Sequence, residues 1–370
     1  MAQQLTDIKI PNIEKELSVS ATLFKDSATS PKSCLFTLII FARETRRVNY
    51  MQDFINTILD KFPCRIIFIQ GDDQSASSYC HVNVSSVISG KSSGSVESTV
   101  VCDQIVIQAS QDQFFRIPFI VTPHIVPDLP VYLLWGQNPF DETEIFPHLQ
   151  TYASRVIFDS ECSDDLSLFC QEMRENLNAL NMDIMDVSWA LISSWRDVLT
   201  QLFDTPEKIK QLCSIKSVVI RYNGCTTDTM LHPEIRALYL QAWLACRLQW
   251  KYNKIEHLNN TIIIGYSSRL HPSVVAVVPE THPELPPGAI NAIEITLLDG
   301  QSYLLMRKPN TSQALIHVSS RETCELPFTL SLPNVHKGMT FMREIFFSKL
   351  GEHYSQMLNV LSEIELNKGQ

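Results

Sequence analysis

A strand, a helix and a second strand follow one another within the first seventy residues, and no other stretch narrows the choice of fold as much. Cys34 to Ala42 is an unbroken β-favouring run containing Leu35, Phe36, Leu38, Ile39, Ile40 and Phe41. At this length such a run fits a strand covered on both faces. From Arg46 to Phe62, apolar residues at 51, 54, 55, 58, 59 and 62 repeat with the period of a helix burying one stripe. Cys64-Arg-Ile-Ile-Phe-Ile69 is a second apolar run, closed by Gly71-Asp-Asp. A buried strand, a crossover helix and another buried strand predict a parallel pair, hence an α/β layer structure.

The alternation continues, with strands expected at Tyr79–Ile88, Val101–Ala109, Val131–Trp135 and Arg155–Phe158 and helices at Phe114–Ile125 and Glu142–Tyr152. Residues 31–161 therefore read as one α/β domain with a mixed, largely covered sheet. Residues 1–30 form a polar segment with one short amphipathic piece, Asn12-Ile-Glu-Lys-Glu-Leu17. Helical periods at Asp164–Leu180 and Ser188–Phe203, the second stopped by Asp204-Thr-Pro206, make 162–212 a helical junction. Strand character returns at Lys216–Tyr222, and His232-Pro233 opens a helix running to about Trp250. Thr261–Tyr266, Val274–Val278, Ala292–Leu298, Ser302–Arg307, Ala314–Ser319 and Phe328–Leu332 then follow as strands in hairpin-like succession, before a closing helix, Phe341–Ile364. Asp299-Gly300 reads as a type I′ turn. Residues 213–370 are thus expected to be an antiparallel-rich α+β domain.

Composition limits the function more than the fold. With 370 residues, 45% of them hydrophobic, the chain can bury two cores. The net charge of −10 opposes affinity for nucleic acid or an anionic membrane. The start, Met-Ala-Gln-Gln-Leu, has no leader pattern, and Cys34–Ala42, the longest uncharged apolar run, falls short of the ~18 residues of a membrane span. A cytoplasmic protein is expected, with its ten cysteines as buried reduced thiols, since no pair has Cys-x-x-Cys spacing. Glycine is scarce, 11 in all, about 3% against the roughly 7% usual. The triplet Gly90-Lys91-Ser92 has Ser85 where a phosphate-binding loop needs its leading glycine, so it reads as a flexible loop. No His-x₃-His pair, no His-Glu-x-x-His and no Gly-x-Ser-x-Gly elbow occurs; His271 and His282 lie in proline-containing loops. The residues call for no cofactor, no metal and no catalytic group, and Arg155 with Asp159 reads as a structural charge pair.

Tryptophan and arginine instead cluster at three places. Pro127 to Gly136 feeds a strand ending in Trp135; Asp186 to Asp204 carries Trp189, Trp195 and Arg196; Ala237 to Trp250 carries Trp243 and Arg247. On the second segment Leu191, Trp195, Val198, Leu199 and Leu202 share a helix face, while Trp189 and Arg196 point elsewhere. Each aromatic has a core reading and a partner-contact reading, because Trp with Arg is also the composition of binding hot spots. The interface candidates are Asp128, Trp135, Arg155, Asp159, Trp189, Trp195, Arg196, Trp243 and Arg247.

These segments, in order, resemble the OpcA family, the glucose-6-phosphate dehydrogenase assembly or activator proteins. The resemblance is carried by Asn12–Leu17, Cys34–Phe41, Pro63-Cys-Arg-Ile-Ile-Phe68, Asp128-Leu-Pro-Val-Tyr-Leu-Leu-Trp-Gly136, Ser154-Arg-Val-Ile-Phe-Asp-Ser160, the Asp186–Asp204 helix and Trp243-Leu-Ala-Cys-Arg-Leu-Gln-Trp250. Leu134 stands where the family pattern has a second tryptophan. The resemblance implies a non-catalytic partner of glucose-6-phosphate dehydrogenase in the oxidative pentose phosphate pathway. The alternative, from the residues alone, is a sugar-phosphate enzyme or sensor using the strand ends near Asp128, Trp135 and Arg155.

Overall fold

A computed structural model describes residues 7–22, 34–43, 45–59, 62–89, 100–138, 144–177, 183–227, 230–268, 270–333 and 339–364. The chain divides into two compact units, Met1–Cys162 with Met182–Met185, and Ser163–Asn181 with Asp186–Gln370. The Gly90-Lys91-Ser92 triplet lies outside the described residues.

The first unit is built on an eight-stranded sheet. Its strands are β1 (Asp7–Lys9), β2 (Thr37–Ala42), β3 (Arg65–Asp72), β4 (Tyr79–Ser89), β5 (Val100–Ser110), β6 (Val131–Trp135), β7 (Arg155–Phe158) and β8 (Asp183–Asp186). Their spatial order is β1-β4-β5-β3-β2-β6-β7-β8. Strands β5, β3, β2, β6 and β7 run parallel, and β4 turns back antiparallel beside β5. The opening prediction holds: β2 and β3 pair in parallel on either side of a helix, α2 (Thr45–Leu59), after the N-terminal α1 (Ile13–Thr22). Every residue of β2, β6 and β7 is buried, as continuous apolar runs require. Two expected helices are shorter. The stretch 114–125 resolves into a 3₁₀ turn, α3 (Ile117–Val121) and another 3₁₀ turn, with Pro118 and Pro123 each opening a new piece. The stretch 142–152 gives only α4 (Phe146–Leu149) and a 3₁₀ turn, and 142 and 143 are outside the described residues.

The second unit holds the remaining helices, α5 (Leu166–Leu177), α6 (Val187–Leu191), α7 (Ser193–Leu202), α8 (Pro206–Leu212), α9 (Ile235–Arg247), α10 (Met339–Phe347) and α11 (Glu352–Glu363). They accompany β9 (Ile215–Asn223), β10 (Lys251–Leu258), β11 (Thr261–Ser267), β12 (Pro272–Glu280), β13 (Ile290–Leu297), β14 (Ser302–Arg307), β15 (Gln313–Ser319) and β16 (Phe328–Ser331). The order is β10-β11-β12-β9-β13-β14-β15-β16, antiparallel except where β12 meets β9. Period-two alternation buries Val218, Ile220 and Tyr222 of β9 with Val275, Val277, Ile293, Ile295, Leu305 and Ile316. Helix α9 packs on β9 and β12, and α11 packs on α5 and α9.

Local chemistry corrects three readings here. The two-residue turn with both φ positive is Asn259-Asn260, at +49° and +62°, between β10 and β11. At Asp299-Gly300 only Gly300 is left-handed, at +91°, in a three-residue loop closed by Leu297 N–H to Gln301 O. The helix read through 188–203 breaks at Ile192 into α6 and α7, and the closing helix breaks ahead of Gly351, the N-cap of α11. Of the ten cysteines none is in a disulfide; Cys64, Cys80, Cys102 and Cys170 are buried, whereas Cys213 and Cys324 are exposed.

Candidate functional site

In an open α/β sheet, ligands bind where strand order reverses, beyond the carboxyl ends of the strands. In the first unit β2 has β3 on one side and β6 on the other, so the reversal lies at Ala42 and Trp135. Side chains fill it. Trp135, 0% exposed, stacks on Phe41 with ring centres 4.2 Å apart and meets Phe146 edge-on at 4.9 Å. Gly136 N–H donates to Phe41 O, and a side chain at Gly136 would come within 2.9 Å of that oxygen, so only glycine lets the two strand ends close. Arg47 Nη2 then pairs with Asp159 at 2.5 Å, both essentially without solvent contact, and Arg47 Nε donates to Gly136 O. Burial by itself lowers the guanidinium's pKa, and Asp159 beside it reverses that and raises it. The sequence that follows β2, Arg43-Glu-Thr-Arg-Arg47, has no glycine to admit a pyrophosphate. The residues at this switch point do not fit a dinucleotide.

The expected pairing of Arg155 with Asp159 is corrected by the same geometry. Asp159 belongs to Arg47, and Arg155 reaches Asp183 at 2.5 Å. Strand β8, which carries Asp183, has no signal in the sequence beyond three alternating residues before a helix cap. Asp128 is exposed at a turn with φ +63°, a conformation aspartate tolerates.

Trp189 and Trp195 are 4% and 2% exposed, so they pack the second unit instead of presenting a contact surface. The Arg196 guanidinium lies 3.6 Å from the centre of the Trp189 ring and donates to Trp189 O. Burial lowers its pKa to about 10, which leaves it charged at neutral pH. Asp186 caps this region: its carboxylate accepts from Trp189 N–H at 3.0 Å, Tyr239 Oη at 3.1 Å and Tyr354 Oη at 3.3 Å. Three helices are tied to one buried acid, a role the sequence signals only as an Asp before Val-Ser-Trp.

Trp243 and Arg247 do come together, on a groove of about 570 Å³ in the second unit. Helix α9 ends there in a Schellman turn: Gln249, at φ +56°, donates to Cys246 O, and Trp250 N–H donates to Ala245 O. That turn swings Trp250 back against Tyr266 at 5.7 Å and leaves Arg247 exposed, with Nη1 3.3 Å from the His353 ring. Leu199 of α7 and Phe203, the residue that ends it, form one wall of the groove. Its rim carries Ile209 and Leu270, 52% and 76% exposed, large apolar groups that nothing in the sequence pattern marked. An apolar floor with tryptophan and an exposed arginine at its edge is the make-up of a protein-binding hot spot. Among the described residues no group of three His, Cys, Asp or Glu could hold a metal ion, and no helix is long and apolar enough to cross a membrane.

Two family descriptions match the chain. Residues 55–175 match the glucose-6-phosphate dehydrogenase subunit N-terminal domain, and residues 182–326 match the C-terminal domain of the same subunit, both under the OpcA name. The chain belongs to the OpcA family. The match runs past residue 260, further than the sequence resemblance had reached. Proteins of Synechocystis sp. and Synechococcus elongatus, each carrying the provisional name OxPP cycle protein OpcA, are 25% identical over 53% of the chain. The matched stretch is 39% and 42% of their own lengths, so the chain spans about two fifths of these OpcA relatives. A solved structure of a provisionally named oxidoreductase from Parabacteroides merdae ATCC 43184 is similar with a TM-score of 0.50. It is 8% identical, over 90% of this chain and 97% of that one, a likeness of fold alone.

Proposed function

We propose that this OpcA-family chain is a non-catalytic, cytoplasmic factor that binds glucose-6-phosphate dehydrogenase and favours its assembled, active state, supporting the oxidative pentose phosphate pathway. The observation that carries this is the pair of family descriptions, both of a glucose-6-phosphate dehydrogenase subunit, over residues 55–175 and 182–326. The filled switch point supports it from the other side: a fold of the kind found in an oxidoreductase has tryptophan and an ion pair where a nucleotide would lie. The docking site of this proposal is the groove of Trp243, Arg247 and Leu270, with Arg247 set to meet an acidic group of the dehydrogenase. Such a factor acts only through its difference in affinity for the active and inactive partner.

Arg247→Glu is expected to weaken binding of the dehydrogenase about 10- to 100-fold, the range of a hot-spot arginine, while the chain's melting temperature stays unchanged. Titration calorimetry with the purified dehydrogenase checks this. An affinity equal to that of the unmodified chain removes the groove from the account.

A further inference from the structure

A second cavity in the same unit, about 610 Å³, has a more polar lining than the groove. It lies between the loop after β12 and the hairpin joining β14 to β15, and among prolines and Leu285 its walls carry polar groups: His282 and Asn291 on one side, Asn310 and Thr311 on the other. Two cations line it, Arg307 and Lys308, against one exposed carboxylate, Glu284. Among the described residues neither cation meets an acidic partner. Arg307 donates to Ile290 O at 3.3 Å and lies 5.7 Å from the centre of the Trp195 ring, and its pKa is lowered by burial. A half-buried guanidinium with no acidic partner leaves its charge uncompensated, and an anion in the cavity would be attracted to it.

The walls are set in place before any ligand arrives. Asn223 Nδ2 holds Leu285 O at 2.7 Å, Arg236 Nη1 holds Pro287 O at 3.1 Å, and Gly288 turns at φ +71°. Opposite, Lys308 N–H donates to Gln313 O and Thr311 N–H to Lys308 O, around Asn310 at φ +56°. His282 Nε2 is fixed 2.8 Å from Glu280 and 2.9 Å from Asn291 Nδ2. Walls held this way spare a ligand the entropy of ordering them.

We propose that this cavity binds a small phosphorylated polyol, with Arg307 and Lys308 on the phosphate and the amide, hydroxyl and imidazole groups of Asn291, Asn310, Thr311 and His282 on the hydroxyls. A guanidinium and an ammonium lining one cavity suit a dianion, and the volume suits a ligand of sugar-phosphate size. The site is distinct from the docking groove, and its test needs no dehydrogenase, so its outcome is separate from that of the proposed function.

Titration calorimetry of the full chain alone, with inorganic phosphate, glucose 6-phosphate and glucose as probes, decides it. Glucose 6-phosphate is expected to bind, inorganic phosphate more weakly and glucose not measurably. Lys308→Glu, an exposed position, is expected to weaken glucose 6-phosphate binding about tenfold or more with the fold retained. Arg307→Met is expected to abolish it, and Lys308→Glu carries the test should that variant not fold. Equal binding of glucose and glucose 6-phosphate, unchanged affinity in Lys308→Glu, or no saturable signal with either phosphate probe would overturn the assignment.

Discussion

Replacing Arg47 by methionine is expected to destabilise the first unit by about 3–5 kcal/mol, the cost of stranding one member of a buried ion pair. The partner left behind, Asp159, is 0% exposed, so water cannot take over from the guanidinium at 2.5 Å. The arginine also ties down the end of β6 through Gly136 O. Amide exchange in β2 and β6, at Ile39–Phe41 and Leu133–Trp135, is therefore expected to quicken about 100-fold or more. Changing both partners, Arg47→Met with Asp159→Leu, removes the stranded charge and is expected to recover most of the loss. A single variant costing under about 1 kcal/mol would mean that the pair is solvated and that the switch point is open.

Asp186→Ala is expected to cost the second unit about 3–5 kcal/mol. The carboxylate is the shared acceptor of Trp189 N–H, Tyr239 and Tyr354, and hydrogen bonds to a charged group are worth about 1.5–3 kcal/mol each. Tyr354 is fully enclosed, with burial holding its hydroxyl protonated, so it donates to the acid throughout the ordinary pH range. Asp186→Asn keeps the shape and an acceptor oxygen, and is expected to cost about half as much. Urea unfolding followed by tryptophan fluorescence checks both, because Trp189, Trp195, Trp243 and Trp250 all lie in this unit. Equal midpoints for Asp186→Ala and the unmodified chain would show that the three helices are held by packing alone.

Most strands were legible because their burial is written in their residues. Runs such as Ile39-Ile40-Phe41 and Leu133-Leu134-Trp135 have no polar face to offer water, so they specify a covered parallel sheet. Strand β10 was missed for the converse reason: Lys251–Leu258 is largely exposed at the sheet edge, and its polar residues do not alternate against a core. The break at Ile192 was invisible because the apolar period continues in register across it.

The candidate site was less legible. Tryptophan burial depends on contacts from distant segments: Trp135 meets Phe41 and Phe146, and Trp189 meets Tyr354, and no local pattern encodes such pairs. Trp243 and Arg247, one helical turn apart, were the candidates whose spacing placed both at one opening. Leu270, in a loop of ordinary composition, becomes informative only through its 76% exposure.

The most direct test of the account is amide exchange of the chain with and without bound glucose-6-phosphate dehydrogenase. Protection is predicted over 199–213 and 243–250 and at Ser268 and Leu270, which contribute the groove's lining, with the ends of β2 and β6 unchanged. Protection confined to the first unit, or a groove that exchanges at the same rate in both states, would contradict it.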